Sequence, residues 1–118
     1  MLSFKHRFHG HNSLRYVYKN GSAERTRLVT LKYIKNPHRK HSRVAIVISK
    51  KVLKGAVGRN RVRRRLYEAV RHRLNNLQTP TDVVLLVFSS EVSTMPSEDL
   101  ELLVDQLFES VDTYQKQV

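Results

Sequence analysis

Nineteen residues, AVGRNRVRRRLYEAVRHRL at 56 to 74, lie between two runs that read as β-strands, RVAIVIS at 43 to 49 and DVVLLVFS at 82 to 89. At roughly 100° per residue, Val62, Leu66, Ala69, Val70, Leu74 and Leu77 gather into one apolar stripe. The segment is therefore a helix that lays this stripe on a sheet as it crosses from one strand to the other. Asn60, Arg61, Arg64, Glu68 and Arg71 fall on the opposite side, with Arg65 and His72 at its border. Seven arginines and a single acid, Glu68, share the segment. Like charges at helical spacing repel by a few tenths of a kcal/mol per pair, so packing of the stripe must offset them. A solvated helix surface normally mixes signs, and this one does not.

The flanking chain supplies the rest of an α+β domain spanning residues 1–118. HNSLRYVYKNG reads as a first helix, with Asn12 or Ser13 as N-cap, Leu14, Val17 and Tyr18 on one face, and Gly21 at its end. TRLVTLKYIK and RVAIVIS are rich in β-branched residues, and NPHRKHS between them predicts a hairpin loop, with the second strand central in the sheet. DVVLLVFS is apolar nearly throughout, as expected of a strand covered on both faces. TMPSEDLELLVDQLFESV predicts a final amphipathic helix capped at Thr94 or Ser97, with Leu100, Leu103, Val104, Leu107, Phe108 and Val111 inward. The pattern reads α-β-β-α-β-α, with room for one short extra strand.

Charge restricts the partner. The chain carries a net +12, but residues 1 to 81 hold 21 of the 22 Lys/Arg against Glu24 and Glu68, a local +19, while residues 82 to 118 carry −7. A field so divided attracts polyanions to one side of the domain. Nucleic acid fits best, because Lys and Arg displace counterions from a phosphate chain. Arg suits phosphate better than Lys, since its planar fork grips two oxygens at once. Gly55 and Gly58 would let backbone N–H groups approach an anion at the start of the helix, and Lys50 and Lys51 add two ammonium groups nearby. An anionic membrane fits less well, because the basic segment has no broad apolar face for lipid. The sequence shows no signal peptide and no run near the ~20 apolar residues of a membrane span. It has no cysteine, which fits a reducing cytosol and excludes thiol chemistry.

The motif SKKVLKGAVGRNRVRRRLYEAVR resembles the signature of the bacterial ribonuclease P protein subunit, whose hallmark is the helix start Arg59-Asn60-Arg61. The RF pair at 7 and 8, the Leu14/Val17/Gly21 spacing and the order of the later elements extend the resemblance over roughly residues 6 to 112. Two positions depart from the family pattern. Tyr67 stands where Arg is often found, with Arg65 as a candidate substitute, and Leu14 stands where an aromatic is common. The resemblance implies an α/β sandwich of order α-β-β-β-α-β-α with a left-handed β-α-β crossover, against the usual handedness. It also implies a cytoplasmic endoribonuclease holoenzyme in which an RNA subunit, using bound Mg2+, removes the 5′ leader from precursor tRNA. The protein's part would be to bind that RNA through Lys50, Lys51, Arg59, Asn60, Arg61, Arg63, Arg64, Arg65 and Arg71. A cleft between the first helix and the sheet, with Leu14, Tyr18 and Lys32, would hold the single-stranded leader.

Two other functions fit the composition less well. A metal-dependent nuclease needs clustered carboxylates, yet the basic region offers Glu24 and Glu68, and the acids of 98 to 112 read as a solvated helix face. His6, His9 and His11 form a possible metal or acid/base group but have no companion carboxylate. A ribosomal or ribosome-assembly protein would show the same basic surface, and the Arg-Asn-Arg motif is what separates it from the ribonuclease P reading.

Overall fold

The structure, a computed structural model, describes residues 11–111 and Tyr114. His6, His9 and the RF pair at 7 and 8 lie outside the described residues, as do the side chains of His11, Asn12 and Ser13. In chain order the elements are α1 (His11–Asn20), β1 (Ser22–Arg25), β2 (Val29–Lys35), β3 (Arg43–Ile48), α2 (Ala56–Leu74), β4 (Thr81–Val87), a 3-10 turn (Ser90–Ser93) and α3 (Ser97–Glu109). The order is the α-β-β-β-α-β-α that the resemblance implies, and β1 is the short extra strand.

The strands lie in the order β1-β2-β4-β3. β2 runs antiparallel to β1 and to β4, whereas β3 and β4 are parallel. The hairpin expected between β2 and β3 is therefore absent: β4 lies between them, and β3 is an edge strand instead of a central one. The hairpin that forms is β1–β2. Its turn is held by Thr26, whose hydroxyl donates to the Val29 carbonyl and accepts from the Val29 N–H at 3.1 Å. The parallel pairing of β3 with β4 follows from the helix between them, because parallel strands need a long crossover and α2 supplies it.

Strand alternation divides the sheet into two faces. Val29, Leu31 and Tyr33 of β2, Val44, Ile46 and Ile48 of β3, and Val83, Leu85 and Val87 of β4 enter one core. α2 covers that core with Val62, Leu66, Ala69, Val70 and Leu74, all buried as the stripe predicts, and Leu77 follows just past the helix end. α3 adds Leu100, Val104, Leu107 and Phe108, and Phe108 meets Tyr114 edge-on at 5.5 Å. Its N-cap position is Pro96, so Ser97 is the first helical residue and neither Thr94 nor Ser97 caps it.

Among the described residues, the other face is covered only in part, by α1. Val17 is fully buried there, as is Val84 of β4. Gly21 ends α1 with its N–H donating to the Val17 carbonyl at 2.8 Å. A Cβ at this position would lie 2.6 Å from the Val17 oxygen and 2.8 Å from that of Tyr33. Both are backbone atoms, so glycine is what lets α1 turn tightly into β1 and stay close to the sheet.

Candidate nucleic-acid interface

α2 presents its arginines in two groups. Arg61 and Arg64 are exposed and have no hydrogen-bond or ion-pair partner among the described residues. The others engage the protein to differing degrees. Arg59 donates to the carbonyls of Leu53 and Lys54, both at 2.8 Å, which ties the turn carrying the exposed Lys50 and Lys51 to the start of the helix. Arg63 donates to the Asn60 side chain at 3.3 Å. Arg71 donates to Glu68 at 2.5 Å, and this hydrogen bond holds the Glu68 carboxyl below its ordinary range.

Arg65 turns inward. It donates to the carbonyl of Val92 at 2.8 Å and to that of Met95, bridging α2 to the segment before α3. These bonds commit much of the guanidinium that the sequence offers in place of an arginine at position 67, and Tyr67 itself packs half-buried against the core. A hollow of about 400 Å³ lies beside this bridge, lined by Arg64, Arg65, Glu68, Ser97, Leu100 and Glu101.

Arg73 belongs to the fold. Its guanidinium donates to Glu101 at 2.6 Å, to Asp105 at 2.8 Å and to the Ala69 carbonyl at 2.7 Å. Glu101 and Asp105 are thus more than the solvated helix acids the sequence suggests: they clamp α3 to α2. Helical periodicity alone does not show this, because position 73 borders the apolar stripe and resembles any other arginine of the run. We expect Arg73→Ala to lower stability by ~1–3 kcal/mol, less than a fully buried pair because both acids keep contact with water. Its effect on the salt dependence of RNA binding should be nil, and denaturant unfolding beside a salt titration checks both.

The second surface is the open face of the sheet. Lys32 of β2 lies beside Ala23 of β1 and Val84 of β4 in the strand register. Its ammonium sits 5.6 Å from the centre of the Tyr18 ring and donates to the Tyr18 carbonyl at 3.4 Å. Tyr18 is 37% exposed, whereas its neighbour Val17 is fully buried and anchors α1. Leu14, one turn earlier, is half-buried. Partial burial raises the Tyr18 phenol above its ordinary pKa. The structure therefore brings Tyr18 and Lys32 together at the edge of α1.

One charged pair on this face escapes a reading of the sequence. Arg43 of β3 donates to both carboxylate oxygens of Asp82 on β4, at 2.9 and 2.7 Å, and Asn36 donates to the same carboxylate at 3.1 Å. Among the described residues no three His, Asp or Glu side chains gather where a metal ion could be held. Among the described residues no helix is long and apolar enough to cross a membrane.

Comparison with known proteins decides the family. The model of the Ribonuclease P family matches residues 2–112. The chain belongs to the Ribonuclease P family. The ribonuclease P protein component of Pseudanabaena sp. (strain PCC 6903) is 33% identical over 87 residues, covering 74% of this chain and 75% of the relative. That of Thermus aquaticus is 45% identical over 73 residues, which is 62% of this chain and 40% of the relative. The fold agrees with that of the Staphylococcus aureus RNase P protein, with a TM-score of 0.79 over 93% of this chain and 98% of the other at 18% identity. The Thermotoga maritima RNase P protein superposes with a TM-score of 0.67 over 80% of this chain and 87% of the other at 20% identity. Membership makes this chain a protein component of a ribonucleoprotein endoribonuclease that acts in tRNA processing, associated with ribonuclease P RNA.

Proposed function

We propose that this protein binds the ribonuclease P RNA through the exposed face of α2 and the Lys50/Lys51 turn, and holds the 5′ leader of precursor tRNA on the open face of the sheet, in the cytoplasm where tRNA matures. The observation that carries the reading is the division of labour among the arginines. Arg65 and Arg73 spend their donors on the fold, while Arg61 and Arg64 keep theirs turned away from the core. Two unpaired guanidinium groups on one helix face suit a phosphate chain. Arg59 serves this surface indirectly by fixing the lysine turn beside it, and Asn60, Arg63 and Arg71 border the same face.

On this reading the RNA performs the hydrolysis with magnesium that it holds itself. Five of the described carboxylates, Asp82, Glu101, Asp105, Glu68 and Glu91, are each paired with an arginine, and no three His, Asp or Glu side chains gather among the described residues. The protein positions and neutralises, and no proton transfer is assigned to it.

Reconstitution with a bacterial ribonuclease P RNA tests the proposal. The protein alone is expected to leave precursor tRNA intact, and the assembled pair to remove the leader at magnesium concentrations where the RNA alone is slow. Arg61→Ala and Arg64→Ala should each lower the magnitude of the salt slope for RNA binding by ~1, as the loss of one phosphate contact requires. Their melting temperatures should hardly move. Robust cleavage by RNA-free protein, abolished by a point mutation in it, would overturn the assignment.

A further inference from the structure

Phe88 follows β4 directly and is 58% exposed, although its backbone is fixed by an N–H donated to the Leu28 carbonyl at 2.9 Å. The alternation that sends Val83, Leu85 and Val87 into the core sends Val84, Leu86 and Phe88 to the open face. On that face Leu86 lies beside Thr30 of β2 and Val47 of β3, and Thr30 pairs in turn with Arg25 of β1. Lys32 and Tyr18 stand at the level of Val84, so Phe88 lies about 13 Å farther along the strand, at ~3.3 Å per residue.

The ground between these aromatics is apolar, and its charged rim is basic. Leu86 and Val47 are half-buried, and Lys32 and Arg25 flank the path. Asp82, the acid that β4 directs to this face, is buried and neutralised by Arg43. Past Phe88 the face meets the end of β3, where Ile48 pairs with Val87 and the chain turns into Lys50 and Lys51. An exposed ring at the end of a rigid central strand, between two groups of cations, suits an unpaired nucleobase better than a protein side chain.

We infer that Phe88 is a second stacking platform for single-stranded RNA, continuing the Tyr18/Lys32 site across the sheet toward the basic surface of α2. The inference rests on the proposal that the open face holds the leader, and adds a residue to it. The leader then runs from Tyr18 over Leu86 to Phe88, and the Lys50/Lys51 turn receives its phosphates. Every base has a π face, so the platform is indifferent to leader sequence and sensitive to leader length.

The test measures holoenzyme affinity for precursor tRNAs whose leaders are shortened one nucleotide at a time, with mature tRNA as the reference. Phe88→Ala should weaken binding of long leaders by roughly 5- to 30-fold, the lower part of the stacking range, because one side of the ring faces water. It should not affect mature tRNA or leaders too short to reach position 88. Phe88→Leu keeps an apolar side chain without a π face and should show the same length-dependent loss, whereas Phe88→Tyr should restore binding. Tyr18→Ala, run in parallel, separates the two levels of the argument. A leader-dependent loss for Tyr18→Ala with none for either Phe88 variant would overturn the inference and leave the cleft reading standing; no leader-dependent loss for any of them would overturn both. Equal losses for mature and precursor tRNA would place Phe88 against another part of the complex and overturn the inference as well.

Discussion

Asp82→Ala is expected to destabilise the protein by ~3–5 kcal/mol, more than any change on the exposed face of α2. The Arg43 and Asp82 side chains are 6% and 4% exposed, and their two hydrogen bonds join the parallel strands on either side of the α2 crossover. Removing the carboxylate takes two hydrogen bonds and the opposing charge of Asp82 from a buried guanidinium, and takes from Asn36 the acceptor that holds the β2–β3 loop to β4. The attraction between the ions is largely offset by their desolvation, so the loss comes from keeping the guanidinium buried after the Asp82 carboxylate is gone. The double substitution Arg43→Met/Asp82→Leu should therefore recover much of the stability that Asp82→Ala loses. Denaturant midpoints for both, with unchanged m-values, check this. Equal destabilisation by the single and double variants would mean that the pair contributes through packing and not through charge.

The same pair shows why the sheet order is harder to read than its elements. Periodicity marks α2 over Ala56–Leu74 with the correct buried stripe, because nineteen residues give the helical repeat room to declare itself. Strand neighbours have no such local mark. β2 and β3 are close in sequence, and an intervening loop rich in polar residues suggests a hairpin. Their pairing is set instead by β4, far along the chain, which bonds antiparallel to β2 on one edge and parallel to β3 on the other. β3 looks central because RVAIVI is nearly all apolar, yet Ala45 and Val47 are only half-buried on the partly covered face. At the site, the arginine cluster is legible as charge, but the division of its members between fold and solvent is not. Arg65 and Arg73 find their partners, Val92, Met95, Glu101 and Asp105, some thirty residues away. Helical spacing sets Arg65 and Arg73 nearer the apolar stripe than Arg61 and Arg64, but it does not name those partners.

Tyr18→Ala is expected to weaken holoenzyme binding of precursor tRNA by ~1–3 kcal/mol while leaving mature tRNA almost unaffected. An aromatic four residues from Leu14 would ordinarily belong to the buried side of its helix. Here Val17 takes that place, fully buried, and Tyr18 stands at the margin with more than a third of its surface open. Lys32 stands 5.6 Å from the ring centre, so on the proposed reading its ammonium would neutralise the phosphate of a stacked nucleotide. Stacking on such a ring depends little on base identity, which suits the proposed role with leaders of differing sequence. Tyr18→Phe retains the ring and should retain the affinity, which separates stacking from any hydrogen bond of the hydroxyl. Affinities for both tRNAs, measured beside a thermal melt, decide the matter. A large fall in melting temperature with equal losses for the two ligands would show that Tyr18 holds α1 to the sheet and leaves the leader to other residues.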